Sequence, residues 1–188
     1  MAKHSLVALV EDKPGVLNRV ASLFRRRNFN IDSIAVGHSE TPGLSRMNIV
    51  VDGTATSVEQ VRKQLDKLID VVKVSDISEE SLVARELALV RVKCTPQTRS
   101  QIIEIVDVFR ANIVDVAMDS MVVEITGDED KIGSLYQLLR GFGIVEIART
   151  GRIAMARGAA RAVGAGGKPQ RRAARSRKVK GADEVSNL

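Results

Sequence analysis

Glu11-Asp12-Lys13-Pro14-Gly15-Val16-Leu17 is the stretch that decides how the rest of the chain reads. An apolar run of strand length, residues 6–10, leads into it, and a helical pattern leaves it. Pro14 suits the first helical position, where its fixed φ helps and its missing N–H costs nothing. The N–H groups of Gly15, Val16 and Leu17 then have no partner inside the first turn and lie at the positive end of the helix dipole, where a carboxylate can dock. Gly15 has no side chain to block that approach. Asp12, just ahead, can pair with an ammonium group, so the junction could take both charges of a free α-amino acid. By itself, Pro-Gly before a helix is a turn and start signal.

Working outward, Val16, Leu17, Val20, Ala21 and Phe24 fall on one helical face. Arg25, Arg26 and Arg27 suit the negative end of the dipole, with Asn28 as cap. A strand is predicted over 30–39, a turn at Thr41-Pro42-Gly43, and a third strand with Met47, Ile49 and Val51 on one face and Arg46, Asn48 and Val50 on the other. Ser57 and Gln60 have capping-box spacing, and Val58, Val61, Leu65, Leu68 and Ile69 line the helix that follows. A fourth strand is predicted over 71–77. The order βαββαβ is the ferredoxin-like unit. Its helices cover one sheet face, so the other face or an edge is left for a partner, and the chain should dimerise.

Residues 79–86 read as a polar linker, after which the order repeats. Strands are predicted over 87–93, 113–118, 121–126 and 144–148, and helices over 98–111 and 128–139. Phe24-Arg25 returns as Phe109-Arg110, and Ile31-Asp32 as Val114-Asp115. Thr95-Pro96-Gln97, the matching junction, has no Gly after its Pro, so the anion cradle is argued for the first half only. Asp128-Glu129-Asp130 is better explained by the helix dipole than by a metal. The fold class is therefore α+β: two ferredoxin-like domains, 1–78 and 87–158, followed by a basic, flexible tail, 159–188.

The chain is 44% apolar, enough for real cores, but with no Trp and one Tyr these must be built from aliphatic residues. Cys94 is expected to be a small buried hydrophobe at a strand end. Two distant histidines suggest no metal cluster, and no run reaches membrane-spanning length. Without a secretory pattern, a cytoplasmic location is expected. The net charge of +6 belongs to the tail, which has eight Lys or Arg against two acids; the other 158 residues carry 21 of each sign. Gly167-Lys168 fails as a phosphate loop, because Pro169 stands where Ser or Thr would bind magnesium. The tail has no aromatic residue for base stacking.

Several pieces together resemble a known family. These are residues 11–17, Phe29-Asn30-Ile31-Asp32-Ser33-Ile34, Leu44-Ser45-Arg46-Met47, and residues 144–151 with Arg157-Gly158 beyond. In order and spacing they resemble the regulatory small subunits of acetolactate synthase (acetohydroxyacid synthase), whose first domain is of the ACT type. The resemblance covers residues 5–158 and leaves out the tail, since such subunits mostly end near the position of Gly158. It implies a homodimer of side-by-side ACT domains, with valine or a related branched-chain amino acid bound between them as end-product inhibitor. Carried over, Asp12 would face the ammonium, and the Gly15, Val16 and Leu17 amides would hold the carboxylate. Asn30 and Ile31 would close the site from the neighbouring subunit. Where relatives carry Asn, Asp12 adds a charge.

The resemblance further implies a catalytic large subunit, a separate chain holding thiamine diphosphate, magnesium and FAD, which condenses two pyruvates or pyruvate with 2-oxobutyrate. The present chain would raise that activity and confer feedback inhibition, itself needing no cofactor and carrying no catalytic residue. The sequence offers no Ser, His and Asp constellation and no paired carboxylates in a plausible cleft. Arg46 and the arginines of 149–157 are either contacts to that partner or ordinary exposed arginines. The competing reading is a free-standing amino-acid sensor touching nucleic acid through its tail. Without a helix-turn-helix it has less support, and nucleic acid is not the expected partner.

Overall fold

The computed structural model describes residues 2–158. The elements run β1 (Ala2–Glu11), α1 (Val16–Arg26), β2 (Ile31–His38), β3 (Leu44–Gly53), α2 (Ala55–Leu65) and β4 (Val71–Asp76). They continue as β5 (Leu82–Lys93), α3 (Arg99–Val108), β6 (Asn112–Val116), β7 (Ser120–Gly127), α4 (Glu129–Arg140), β8 (Ile144–Arg149) and β9 (Ile153–Ala156). The first sheet has strand order β2-β3-β1-β4 and the second β6-β7-β5-β8, with every pairing antiparallel. Two ferredoxin-like units of the same order therefore follow one another. The tail expected over 159–188 lies outside the described residues.

Alternation along the strands builds both cores. Leu6, Ala8 and Val10 of β1 and Met47, Ile49 and Val51 of β3 pack beneath Val16, Val20, Leu23 and Phe24 of α1 and Val58, Val61 and Leu65 of α2. In the second unit Ala88, Val90 and Val92 meet Ile102, Val106, Ile132 and Leu135. Cys94 is buried in that core just past the end of β5. Helix α1 closes on Asn28, whose φ of 55° is left-handed. Its N–H donates to Arg25 O at 3.1 Å and the Phe29 N–H to Phe24 O at 3.1 Å, a Schellman ending. Asp128 caps α4 through Lys131 N at 2.9 Å, with Glu129 and Asp130 in the first turn.

Several expectations are corrected. Helix α1 starts at Val16 with Gly15 as N-cap, so Pro14 stands in the preceding turn and not at the first helical position. The capping box of α2 joins Thr54 to Ser57, one turn before the Ser57–Gln60 spacing, because Thr54 is the extended residue whose side chain faces the free amides. Ile69 is 89% exposed, because α2 has already ended at Leu65. The left-handed helix ends are Asn28 and Arg110, and the edge-strand bulges fall at Asp32 and Val114, so matched on these features the Phe-Arg and Asp echoes are out of register.

The largest difference concerns residues 79–86 and the far face of the first sheet. β5 begins at Leu82, inside the presumed linker, and its residues 82–85 pair with β9, a strand the sequence did not suggest. Ala154 of β9 packs with Val7 and Ile77 on the face away from α1 and α2. Its N–H donates to Asn48 Oδ1 at 3.2 Å, and its carbonyl accepts from Arg46 at 3.3 Å. The face expected to be open is thus partly covered by the chain itself. No helix among the described residues is long and apolar enough to cross a membrane.

Candidate functional site

The junction between β1 and α1 is held from both sides. Glu11 N donates to Asp70 O at 2.8 Å and Asp12 N to Gly43 O at 2.9 Å, which tie it to the start of β4 and to the β2–β3 turn. Asp70 is also paired with Arg19 of α1, so the helix cannot swing away from β4 without breaking a half-buried ion pair. Lys13 N turns back onto Glu11 O at 3.1 Å, and the Lys13 ammonium meets the Glu11 carboxylate at 2.6 Å. That carboxylate raises the Lys13 pKa above its ordinary value.

Gly15 follows with φ 88° and ψ −10°, a left-handed conformation that L residues rarely adopt. A Cβ placed there would meet nothing within 4 Å, so the space in front of the helix is open. Val16 sends its side chain into the core, and its N–H reaches Lys13 O at a long 3.4 Å. The N–H groups of Gly15 and Leu17 make no hydrogen bond among the described residues, and Leu17 is half exposed. Two free donors and a weakly held third therefore face open space at a helix N-terminus. Asp12 is exposed beside them, its carboxylate 3.3 Å from His38 Nδ1 at the end of β2. His38 is a neighbour the sequence did not disclose, since only the β2–β3 turn brings it back to Asp12.

Asn30 and Ile31 lie elsewhere. Ile31 pairs with Val51, which pairs with His4, whereas Glu11 pairs with Leu44 at the other end of the sheet. Seven residues of strand separate His4 from Glu11, roughly 24 Å at about 3.4 Å per residue. One chain thus brings together Asp12, Gly15, Val16 and Leu17, and keeps Asn30 and Ile31 at the far end. Asn30 is exposed, and Ile31 rests partly buried against the first core. β2 is the edge of its sheet.

Between the two units lies a polar cleft of about 530 Å³. Lys3 bridges it, 3.2 Å from Asp32 and 2.7 Å from Glu129, and these carboxylates raise its pKa, Glu129 most. Arg149 donates through Nε to Glu86 Oε1 at 2.7 Å and through a terminal nitrogen to Oε2 at 2.6 Å, which raises its pKa as well. Arg149 is therefore committed to its own chain. Glu86 and Arg149 stand 63 residues apart, and no local pattern marks them as partners. No group of three or more His, Cys, Asp or Glu among the described residues is placed to hold a metal.

Comparison with known proteins agrees with this architecture. Residues 6–73 match the family model described as AHAS small subunit-like ACT domain, and residues 85–158 the one described as small subunit of acetolactate synthase. The chain is 57% identical over 156 residues to the probable acetolactate synthase small subunit of Archaeoglobus fulgidus, covering 83% of this chain and 98% of that one. It is 51% identical over 157 residues to the acetolactate synthase small subunit of Bacillus subtilis, covering 83% and 91%. The crystal structure of the acetolactate synthase small subunit from Thermotoga maritima superposes with a TM-score of 0.78 at 44% identity, covering 84% of this chain and 98% of that chain.

Proposed function

The chain belongs to the acetolactate synthase small-subunit family, and from that membership we propose that it senses a branched-chain amino acid, valine foremost, and regulates a catalytic large subunit. The observation that carries the proposal is the open, left-handed Gly15 cradle with free amides beside the exposed Asp12 carboxylate. The Gly15 and Leu17 amides, joined by that of Val16 once it leaves Lys13 O, hold the ligand carboxylate. Asp12 takes its ammonium and gives up His38 in doing so.

The position of Asn30 and Ile31 supports a site built between two copies. Antiparallel apposition of two β2 edges would set the start of one β2 beside the end of the other, and so beside the other copy's Asp12 and Gly15. Asn30 and Ile31 of the neighbour then close the cradle, with Ile31 supplying an apolar wall for a branched side chain. A ligand held by both copies favours the dimer that forms its site, and by linkage whatever arrangement that dimer imposes on the large subunit. The chemistry stays with the large subunit and the thiamine diphosphate, magnesium and FAD proposed for it.

The test is reconstitution. Adding the chain to its purified large subunit should raise acetolactate formation, and valine should then suppress it in the mixture but not in the large subunit alone. An unchanged rate, with and without valine, would sink the proposal.

A further inference from the structure

On the sheet face opposite α1 and α2, adjoining the cradle at His38, lies an apolar groove of about 700 Å³ between β2 and β9. Val36, Val83, Ile153 and Met155 line it and keep between 38% and 64% of their surface exposed. Three guanidinium groups stand round it. Each bonds only to main-chain oxygen: Arg46 to Ala154 O at 3.3 Å, Arg85 to Ala84 O at 2.7 Å and Arg157 to Leu82 O at 2.9 Å. None of the three is ion-paired with a carboxylate among the described residues.

We propose that this groove is the docking site for the catalytic large subunit, which enters it with a segment of apolar side chains flanked by carboxylates. The inference rests on the regulatory reading above and adds the surface and the chemistry of the partner. Apolar side chains ringed by arginine are what protein interfaces select, because arginine gives bidentate carboxylate contacts at low desolvation cost. The charge decides the occupant. A second copy seated symmetrically on the groove would set arginines against arginines. The chain's own residues 159–188, with eight Lys or Arg against two acids, have the same sign and are equally unsuited. A different, acidic partner segment is the complement that remains.

The position also suits regulation. His38 lines the groove, and its Nδ1 lies 3.3 Å from the Asp12 carboxylate. An amino acid whose ammonium takes Asp12 releases the imidazole, which then changes the wall of the groove.

The experiment compares the full chain with two variants, Arg85→Glu/Arg157→Glu and Met155→Asp. For each, affinity for the purified large subunit is measured by sedimentation, stimulation of acetolactate formation by assay, and valine binding to the chain alone by calorimetry. Both variants should bind the large subunit at least tenfold more weakly and lose stimulation in parallel, while valine affinity and the chain's own oligomeric state stay as in the parent. Variants that bind and stimulate like the parent would overturn the docking assignment and leave the regulatory reading standing. A parent that fails to bind the large subunit would overturn both. Variants that fall apart as oligomers on their own would mean that a second copy occupies the groove, and would also overturn the assignment.

Discussion

Replacing Gly15 separates the backbone's need for glycine from the ligand's. At φ 88° an L residue is strained by about 1–2 kcal/mol, yet a Cβ there touches nothing within 4 Å, so no packing cost is added. Losing glycine's freedom in the unfolded chain offsets about 0.4–1 kcal/mol of that. Gly15→Ala should therefore lower unfolding free energy by no more than about 1.6 kcal/mol. Gly15→Asn should lower it by about 0.5 kcal/mol or less, since Asn tolerates the left-handed region. Both put side-chain atoms into the open space beside the Gly15 backbone, where the ligand carboxylate is proposed to sit, so both should lose valine binding. Urea unfolding at one fixed protein concentration reads the first quantity, because the proposed dimer would make stability depend on concentration. Calorimetry reads the second. A loss above about 3 kcal/mol in Gly15→Ala would mean the space is filled, since only packing costs that much. Undiminished valine binding in Gly15→Asn would refute the cradle.

Three further outcomes follow from the ion pairs. Arg149→Met leaves the buried Glu86 carboxylate without its bidentate partner, so unfolding free energy should fall by about 2–4 kcal/mol; adding Glu86→Gln should recover much of it in the same urea assay, and a simple sum of the two losses would contradict the pairing. Lys3→Met removes only half-exposed bridges and should cost under about 1 kcal/mol, a larger loss meaning that the two units depend on that clamp. Arg62 grips both oxygens of Glu59, at 2.7 and 2.8 Å, and this hydrogen bonding holds the Glu59 pKa down to about 2 from an ordinary 4.5. Because the folded value is the lower one, this contribution to stability is complete above pH 4.5 and fades as pH falls towards about 2; carbon NMR titration should find that midpoint, and Arg62→Gln should return it to the ordinary range.

Most of the fold was legible because its signals are local. Alternation marked β3, helical spacing marked Val16, Val20 and Phe24, and the run of Arg25–Arg27 before Asn28 marked a helix end. β9 was not legible, because its pattern is inverted: the small Ala154 faces the core, where the strand crosses close to the sheet, while Ile153 and Met155 face outward. Residues 82–86 looked like linker because Arg85 and Glu86 are charged, and the partner of the buried Glu86, Arg149, stands 63 residues away. Half of the candidate site could be read from one heptapeptide. The other half could not, since His38 reaches Asp12 through a turn, and Asn30 and Ile31 stand about 24 Å away along the sheet, near residues the heptapeptide never meets.

The most direct measurement is calorimetric titration of the full chain with valine, beside Gly15→Asp, which sets a carboxylate in the cradle. The account predicts saturable binding by the parent and none by the folded variant. No heat with valine, leucine or isoleucine in the parent, or equal affinity in the variant, would contradict it.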